Sequence, residues 1–78
     1  MNAKKIWFDK DFIYVETTEN KMGKMPLKWF KRLENSKIEA LEQFELWDEG
    51  SWIHWKLLGE DLSVEGFFTF NKELQTSI

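Results

Sequence analysis

A β-hairpin is predicted by the stretch FELWDEGSWIHW, residues 44–55. Its first part, residues 44–46, alternates apolar and polar side chains, as a strand with one buried face requires. The pair Glu49-Gly50 has turn composition, and residues 51–55 have the composition of a return strand. The stretch therefore predicts two antiparallel strands edged by aromatic side chains.

A similar hairpin is predicted nearer the N-terminus. Residues 5–8 and 12–17 are rich in β-branched and aromatic side chains, and the run Asp9–Asp11 between them favours a tight reversal. Residues 19–23 then have turn composition, and a third short strand is expected to end at Pro26.

An amphipathic helix is predicted from Pro26 to about Glu34. The fixed φ angle of proline and its missing N–H suit the first turn of a helix. Apolar residues recur at every third position, and basic residues fall on the other side. The apolar side consists of Leu27, Phe30 and Leu33, with Trp29 beside them.

Two further helical segments are predicted from capping patterns. Ser36 and Glu39 have the spacing of a capping box, so a second short helix is expected to follow, up to about Gln43. Beyond the hairpin, residues 57–62 are expected to form a loop or an irregular strand. Ser63 is then expected to cap a short C-terminal helix.

These elements predict an α+β fold. We expect one domain over residues 1–78, with an N-terminal β-hairpin, short amphipathic helices, a second β-hairpin and a short C-terminal helix. A chain of this length has enough surface to bury for one core but not for two. Residues 71–78 are expected to form a frayed tail.

Composition narrows the class of protein. The chain contains no cysteine, which excludes a disulfide framework and thiolate chemistry. No apolar run has the length of a signal peptide core or a membrane span. We therefore expect a cytoplasmic protein.

Charge is unevenly distributed along the chain. Between Asn20 and Leu33 there are five basic residues and no acid, whereas residues 34–49 carry six acids and one lysine. The formal net charge of −3 argues against non-specific binding of the whole molecule to nucleic acid or anionic lipid.

Three segments give the chain a family resemblance. They are Pro26–Leu33, Ile53–Trp55 and residues 60–66, Glu-Asp-Leu-Ser-Val-Glu-Gly. Together with the opening hairpin, they resemble the small bacterial family catalogued as domain of unknown function 2442. The resemblance implies a compact α+β domain, found alone or joined to a helix-turn-helix. It also implies a gene often placed beside that of another small protein, in an arrangement like a toxin–antitoxin pair.

The chain departs from the family pattern at four positions. Lys31 and Lys56 stand where the family commonly has proline, after Trp-Phe and after His-Trp. Leu57 and Gly59 stand where the family usually has acids. Two rigid turns and part of an acidic loop are therefore altered.

His54 is the only histidine, and its sequence neighbours do not complete a catalytic or metal site. No second histidine or cysteine stands at ligand spacing, and no nucleophile is paired with it. We expect His54 to form a structural hydrogen bond. We also expect that the protein is not an enzyme and needs no cofactor. Convergence of distant residues on His54 would be the catalytic alternative.

Glu60 and Asp61 form an adjacent carboxylate pair. Such a pair can ligate Ca²⁺ or Mg²⁺ where more oxygens converge, although the EF-hand spacing is absent. The simpler expectation is that Asp61 and Ser63 organise the loop and cap the following helix, while Glu60 is solvated.

A protein interface is the leading functional hypothesis. Surplus aromatic residues such as Trp52 can anchor a partner, and the separated charges can orient it. The resemblance adds the role of an accessory or antitoxin-like protein in a bacterial or phage gene pair. Self-association is an open alternative, with the face around Lys28 meeting the region of Glu42 and Glu45 in a second copy.

Nucleic-acid binding is the other alternative. Four basic residues are interleaved with Trp29 and Phe30 and could follow a phosphate backbone while a ring stacks on a base. Both rings are expected to belong to the core instead. The basic residues are Lys24, Lys28, Lys31 and Arg32.

Overall fold

The computed structural model describes residues 1–69, which form two three-stranded antiparallel sheets and short helical segments. The first sheet contains β1 (Ala3–Phe8), β2 (Phe12–Thr17) and β3 (Met22–Pro26), and the second contains β4 (Glu45–Trp47), β5 (Trp52–Trp55) and β6 (Glu60–Ser63). The helical segments are 3₁₀ turns at Leu27–Trp29 and Asp48–Gly50, helices α1 (Lys31–Glu34) and α2 (Ile38–Leu41), and residues 66–69. This arrangement confirms the predicted α+β class. The expected frayed tail at 71–78 lies outside the described residues.

Both predicted hairpins are present, and each sheet continues into a third strand. In the first hairpin the Asp9 carboxylate accepts hydrogen bonds from the backbone N–H groups of Asp11, at 2.8 Å, and Phe12, at 2.7 Å. This side chain stands in for a backbone acceptor in the turn, which is why aspartate favours the reversal.

The prediction of one continuous helix from Pro26 to Glu34 is wrong. Phe30 has extended backbone angles, φ −126° and ψ 94°, between the 3₁₀ turn and α1. The two half-buried rings of Trp29 and Phe30 both pack against the core. A regular helix would place adjacent residues about 100° apart around its axis, so the break lets both rings reach the core.

The predicted capping box at Ser36 is also wrong. Lys37 stands at the N-cap position of α2, without a side-chain cap hydrogen bond. The Ser36 hydroxyl instead donates to the carbonyl of Arg32, at 2.7 Å. Serine thus satisfies a free carbonyl at the end of α1, a role its hydroxyl performs as well as N-capping.

Ser63 is likewise not a helix cap. It is the last residue of β6 and lies opposite Trp52 in the second sheet. The predicted irregular segment at 57–62 therefore resolves into a turn followed by a strand. Residues 66–69 are helical, as the prediction of a C-terminal helix required.

The core lies between the inner faces of the two sheets and α1 and α2. Its central residue is Trp55, which is fully buried and donates its indole N–H to the carbonyl of Leu41 at 2.8 Å. This hydrogen bond attaches α2 to the second sheet and satisfies two buried polar groups at once. Fully buried side chains around it come from both sheets and from the helices: Ile13, Val15, Leu33, Ile53, Val64 and Phe67.

Gly50 closes the second hairpin in a conformation and position that suit glycine alone. Its φ angle is +98°, and a Cβ there would lie 2.9 Å from the backbone oxygen of Ala3. The preceding Asp48 and Glu49 also have positive φ angles, 51° and 61°. The turn is therefore strained, and it is seated directly against the start of β1.

Replacing Gly50 by alanine is expected to destabilise the protein by roughly 2–4 kcal/mol, since it adds a backbone clash to an unfavourable φ angle. Gly59→Ala is the matched control. Gly59 also has a positive φ, +63°, but its Cβ would meet only the flexible end of Arg32. That variant should lose about 1 kcal/mol. Urea denaturation measures both, and equal losses would contradict the packing described for Gly50.

Candidate interaction site

The solvent-facing side of the second sheet brings together most of its polar and aromatic side chains. Alternation along β5 sends Ile53 and Trp55 into the core and therefore Trp52 and His54 outward. Strand pairing places Glu45 and Asp61 on either side of His54, and Trp47 and Ser63 on either side of Trp52. We call this surface the outer face, and define it as Glu45, Trp47, Trp52, His54, Asp61 and Ser63.

Two large apolar side chains of the outer face remain accessible. Trp47 and Trp52 keep 47% and 42% of their surface exposed, and they are directly opposite one another on β4 and β5. Exposed apolar residues that adjoin in this way are typical of contact surfaces, whereas isolated ones carry no such information.

His54 is fixed in place by two neighbours. Its Nδ1 atom is hydrogen bonded to the Asp61 carboxylate, and its ring stacks on Trp47 with centroids 4.0 Å apart and planes 25° apart. The pairing agrees with the expected structural role. A histidine oriented by a carboxylate also forms half of a catalytic triad. Within residues 1–69, no hydroxyl is hydrogen bonded to the other ring nitrogen.

Most carboxylates of this region have no lysine or arginine partner among residues 1–69. Asp61 is in contact with the ring of His54. Glu45 on the outer face, and Asp48 and Glu49 in the adjoining turn, are exposed and unpaired. The outer face is therefore an aromatic surface with a net negative rim.

Glu60 does not join Asp61 in a common site. It lies opposite Trp55 on the side of β6 that faces inward and is half-buried, whereas Asp61 faces outward beside His54. Adjacent residues of a strand point to opposite faces, which separates the two carboxylates. No group of three metal-binding side chains occurs within residues 1–69. The expectation that Asp61 organises a helix cap is wrong, because Asp61 binds His54.

The four predicted basic residues have different surroundings. Lys24 lies on the outer side of the first sheet, with its Nζ atom 4.5 Å from the centroid of the Phe12 ring. Arg32 donates to the carbonyl oxygen of Gly59 at 2.8 Å and so braces the turn between β5 and β6. Lys28 and Lys31 are exposed. Their neighbouring rings pack against the core, as expected.

Sequence reasoning missed Trp47 as a member of the site, and it named Glu45 only as part of an acidic region for self-association. The predicted strand ended at Leu46, one residue before Trp47. A hairpin pairs positions that are equally distant from its turn. Applying this rule to the Asp48–Ser51 turn would have predicted that Trp47 lies opposite Trp52. Trp47 and Trp52 are such a pair.

Two shallow grooves border Leu27 on another side of the molecule, with volumes of about 370 and 300 Å³. Both share Lys10 and Glu34 in their lining. Acidic and basic side chains both line these grooves, and neither groove contains His54. Across residues 1–69, no helix is long and apolar enough to cross a bilayer.

The fold and the outer face define a class of protein: a small α+β protein of two antiparallel meanders, one of which presents exposed tryptophans and carboxylates. The family described as Protein of unknown function (DUF2442) matches residues 3–73. The chain belongs to this family, which confirms the resemblance. Among curated proteins, none matches the sequence.

The fold is also similar to a solved crystal structure, that of a protein of unknown function from Rhodospirillum rubrum ATCC 11170. The TM-score is 0.73 at 24% sequence identity, and the similarity covers 88% of this chain and 86% of the other. At this identity, the likeness supports the fold alone.

The first sheet carries an electrostatic contact that shifts the pKa values of both partners. The Tyr14 hydroxyl donates to the Asp9 carboxylate. This bond, with the backbone N–H groups of Asp11 and Phe12, lowers the pKa of Asp9 below 3.8. The same bond raises the pKa of Tyr14 above 10.0.

Replacing Asp9 by asparagine should lower the pKa of Tyr14 toward 10.0. Tyr14 is the only tyrosine, so phenolate absorbance against pH measures this group alone. Asp11→Asn is the control and should shift it less. Because the pKa of Asp9 is lower in the folded protein, its contribution to stability is fully present above pH 3.8 and is lost as the pH falls through that lowered pKa. The contribution of Tyr14 to stability is fully present below pH 10.0 and is lost as the pH rises through its raised pKa. A wild-type tyrosine titrating at 10.0 would contradict the contact.

Proposed function

We propose that this protein is a non-enzymatic interaction module that binds a partner protein through its outer face. The observation behind the proposal is the adjoining pair Trp47 and Trp52, each more than two-fifths exposed on a regular sheet. Tryptophan is among the residues that contribute most to binding energy at interfaces. A backbone already fixed by strand pairing loses little conformational freedom when a partner covers its side chains.

The packing of the outer face supports recognition. Trp47 is stacked on His54, and His54 is hydrogen bonded to Asp61, so the orientation of the Trp47 ring is already fixed. The uncompensated acids around these rings can orient a partner and accelerate its approach. Both features suit a surface built for binding.

The biological setting forms part of the proposal. Membership of the family and the gene arrangement that the resemblance implies support an accessory or antitoxin-like role in a small bacterial or phage gene pair. In that setting the partner is the product of the adjacent gene. We place the pair in the cytoplasm, as expected for a chain without cysteine.

Nucleic-acid binding through the face around Lys28 is less well supported by the geometry. Trp29 and Phe30 pack against the core, so neither ring is presented for base stacking. Arg32 is engaged by the Gly59 carbonyl. Only Lys28 and Lys31 then remain as exposed phosphate contacts from this helical segment.

Capture of partners from an extract of the native cells tests the proposal. The double variant Trp47→Ala/Trp52→Ala should retain its specific partner at least tenfold less well than the wild type, the loss expected for one strong hot spot. The control is Met22→Ala/Leu57→Ala, which removes two apolar side chains that are 63% and 72% exposed elsewhere. The control should retain the partner in moderate salt, and quantitative mass spectrometry measures both.

Three results would contradict the proposal. Equal retention by all variants would place binding elsewhere on the surface. Retention that is lost with nuclease, with modest salt and with Lys28→Glu/Lys31→Glu would favour nucleic-acid binding. A doubled mass in light scattering that disappears with Lys28→Glu would favour self-association.

A further inference from the structure

Aromatic rings on the first sheet already have cations from the same chain. The Nζ atom of Lys5 lies 5.6 Å from the ring centroid of Trp7, and that of Lys24 lies 4.5 Å from the centroid of Phe12. Trp7 also stacks on Tyr14, with centroids 5.4 Å apart and planes 8° apart. Cations and rings on the outer side of this sheet therefore satisfy one another.

Trp52 on the outer face has no such contact. Within residues 1–69 it has neither a stacked ring nor a lysine over it, and 42% of its surface is exposed. Trp47, directly opposite, stacks on His54 along the diagonal and not on Trp52. The tryptophan ring is the best cation acceptor among side chains.

The surroundings of Trp52 are rich in negative charge. Asp61 is its diagonal neighbour on β6, and Glu45 lies across from His54 on β4. Asp48 and Glu49 lie in the turn that leads to Trp52. In the part of the chain described, no lysine or arginine forms an ion pair with any of these carboxylates. Within residues 1–69, Trp52, Glu45, Asp48 and Glu49 have no lysine or arginine partner, and Asp61 is in contact with His54 alone.

We infer that the outer face binds an arginine-bearing segment of a partner protein, with one guanidinium lying flat on the Trp52 ring. The inference rests on the proposed function and specifies the chemistry of the partner. Diagonal neighbours in a sheet are about 7–8 Å apart, close enough for the group on Trp52 to reach the Asp61 carboxylate. Arginine suits this position better than lysine because its planar group stacks on rings and donates a fork of hydrogen bonds.

A second copy of this chain does not supply the arginine. Two outer faces placed together would oppose their carboxylates, and like charges in contact cost binding energy. Arg32 is the only arginine in the sequence, and its guanidinium is already bound to the Gly59 carbonyl. The arginine therefore comes from another protein.

A peptide titration tests the inference. The probe is an acetylated, amidated peptide in which three arginines alternate with serine, and NMR follows the tryptophan indole N–H signals of the intact protein. The signals of Trp52 and Trp47 should shift, and the buried Trp55 signal should not. A dissociation constant of roughly 0.1–1 mM is expected for so small a ligand.

Matched variants and peptides make the test specific. Trp52→Thr should weaken binding about tenfold, and Glu45→Gln a few-fold, because each removes one part of the cation site. Met22→Ala, on the other sheet, should bind like the wild type. The lysine version of the peptide should bind a few-fold more weakly, and the glutamate version should leave the signals unchanged.

The inference is overturned if the indole signals do not move at about 10 mM peptide, or if Trp52→Thr binds as tightly as the wild type. Equal binding of the lysine and arginine peptides would also overturn it. The partner capture described above separates this failure from failure of the proposed function. Capture that depends on Trp47 and Trp52, without peptide binding, would uphold the proposed function and reject the arginine site.

Discussion

The hydrogen bond from the Trp55 indole N–H to the Leu41 carbonyl is the contact on which the rest of the structure depends. It joins α2 to the second sheet at the centre of the core, where the Trp55 ring also lies against Phe44. Burying this indole without an acceptor would cost about 1–3 kcal/mol, so the position of α2 and the register of β5 are fixed together. With Trp55 facing inward, the period of two along a strand sends Trp52 and His54 outward.

Both sheets carry aromatic side chains on their outer sides, but the charged groups around these rings differ. On the first sheet, lysines lie over the rings and one tyrosine is bound by an aspartate, so the outer side is internally satisfied. On the second sheet, carboxylates flank the rings, and no lysine or arginine of residues 1–69 is paired with them. The outer sides of the two sheets therefore differ in how far the chain itself satisfies their rings and charges. The strained turn at Gly50 packs the second sheet against the first strand of the first sheet.

Much of the fold could be predicted from local patterns, and the errors have physical causes. Both hairpins followed from alternation and turn residues, because these signals act over a few positions. The break at Phe30 did not, since it depends on two adjacent rings reaching one core. The Ser36 hydroxyl donates to the carbonyl of Arg32 in the preceding helix instead of capping the following helix, α2. A serine at this position gives the same sequence signal in both cases. Within the site, Trp52, His54 and Asp61 were chosen from the sequence, but their meeting on one face required the strand register. Trp47 was missed by one residue.

Hydrogen exchange of the Trp55 indole N–H tests the central claim most directly. NMR in increasing denaturant can compare it with the backbone amides of Ile13 in β2 and Ile53 in β5. If the bond to Leu41 holds one common core, all three groups exchange through the same global unfolding and give the same free energy. Rapid exchange of the indole in the native state, or separate free energies for the two sheets, would contradict the account.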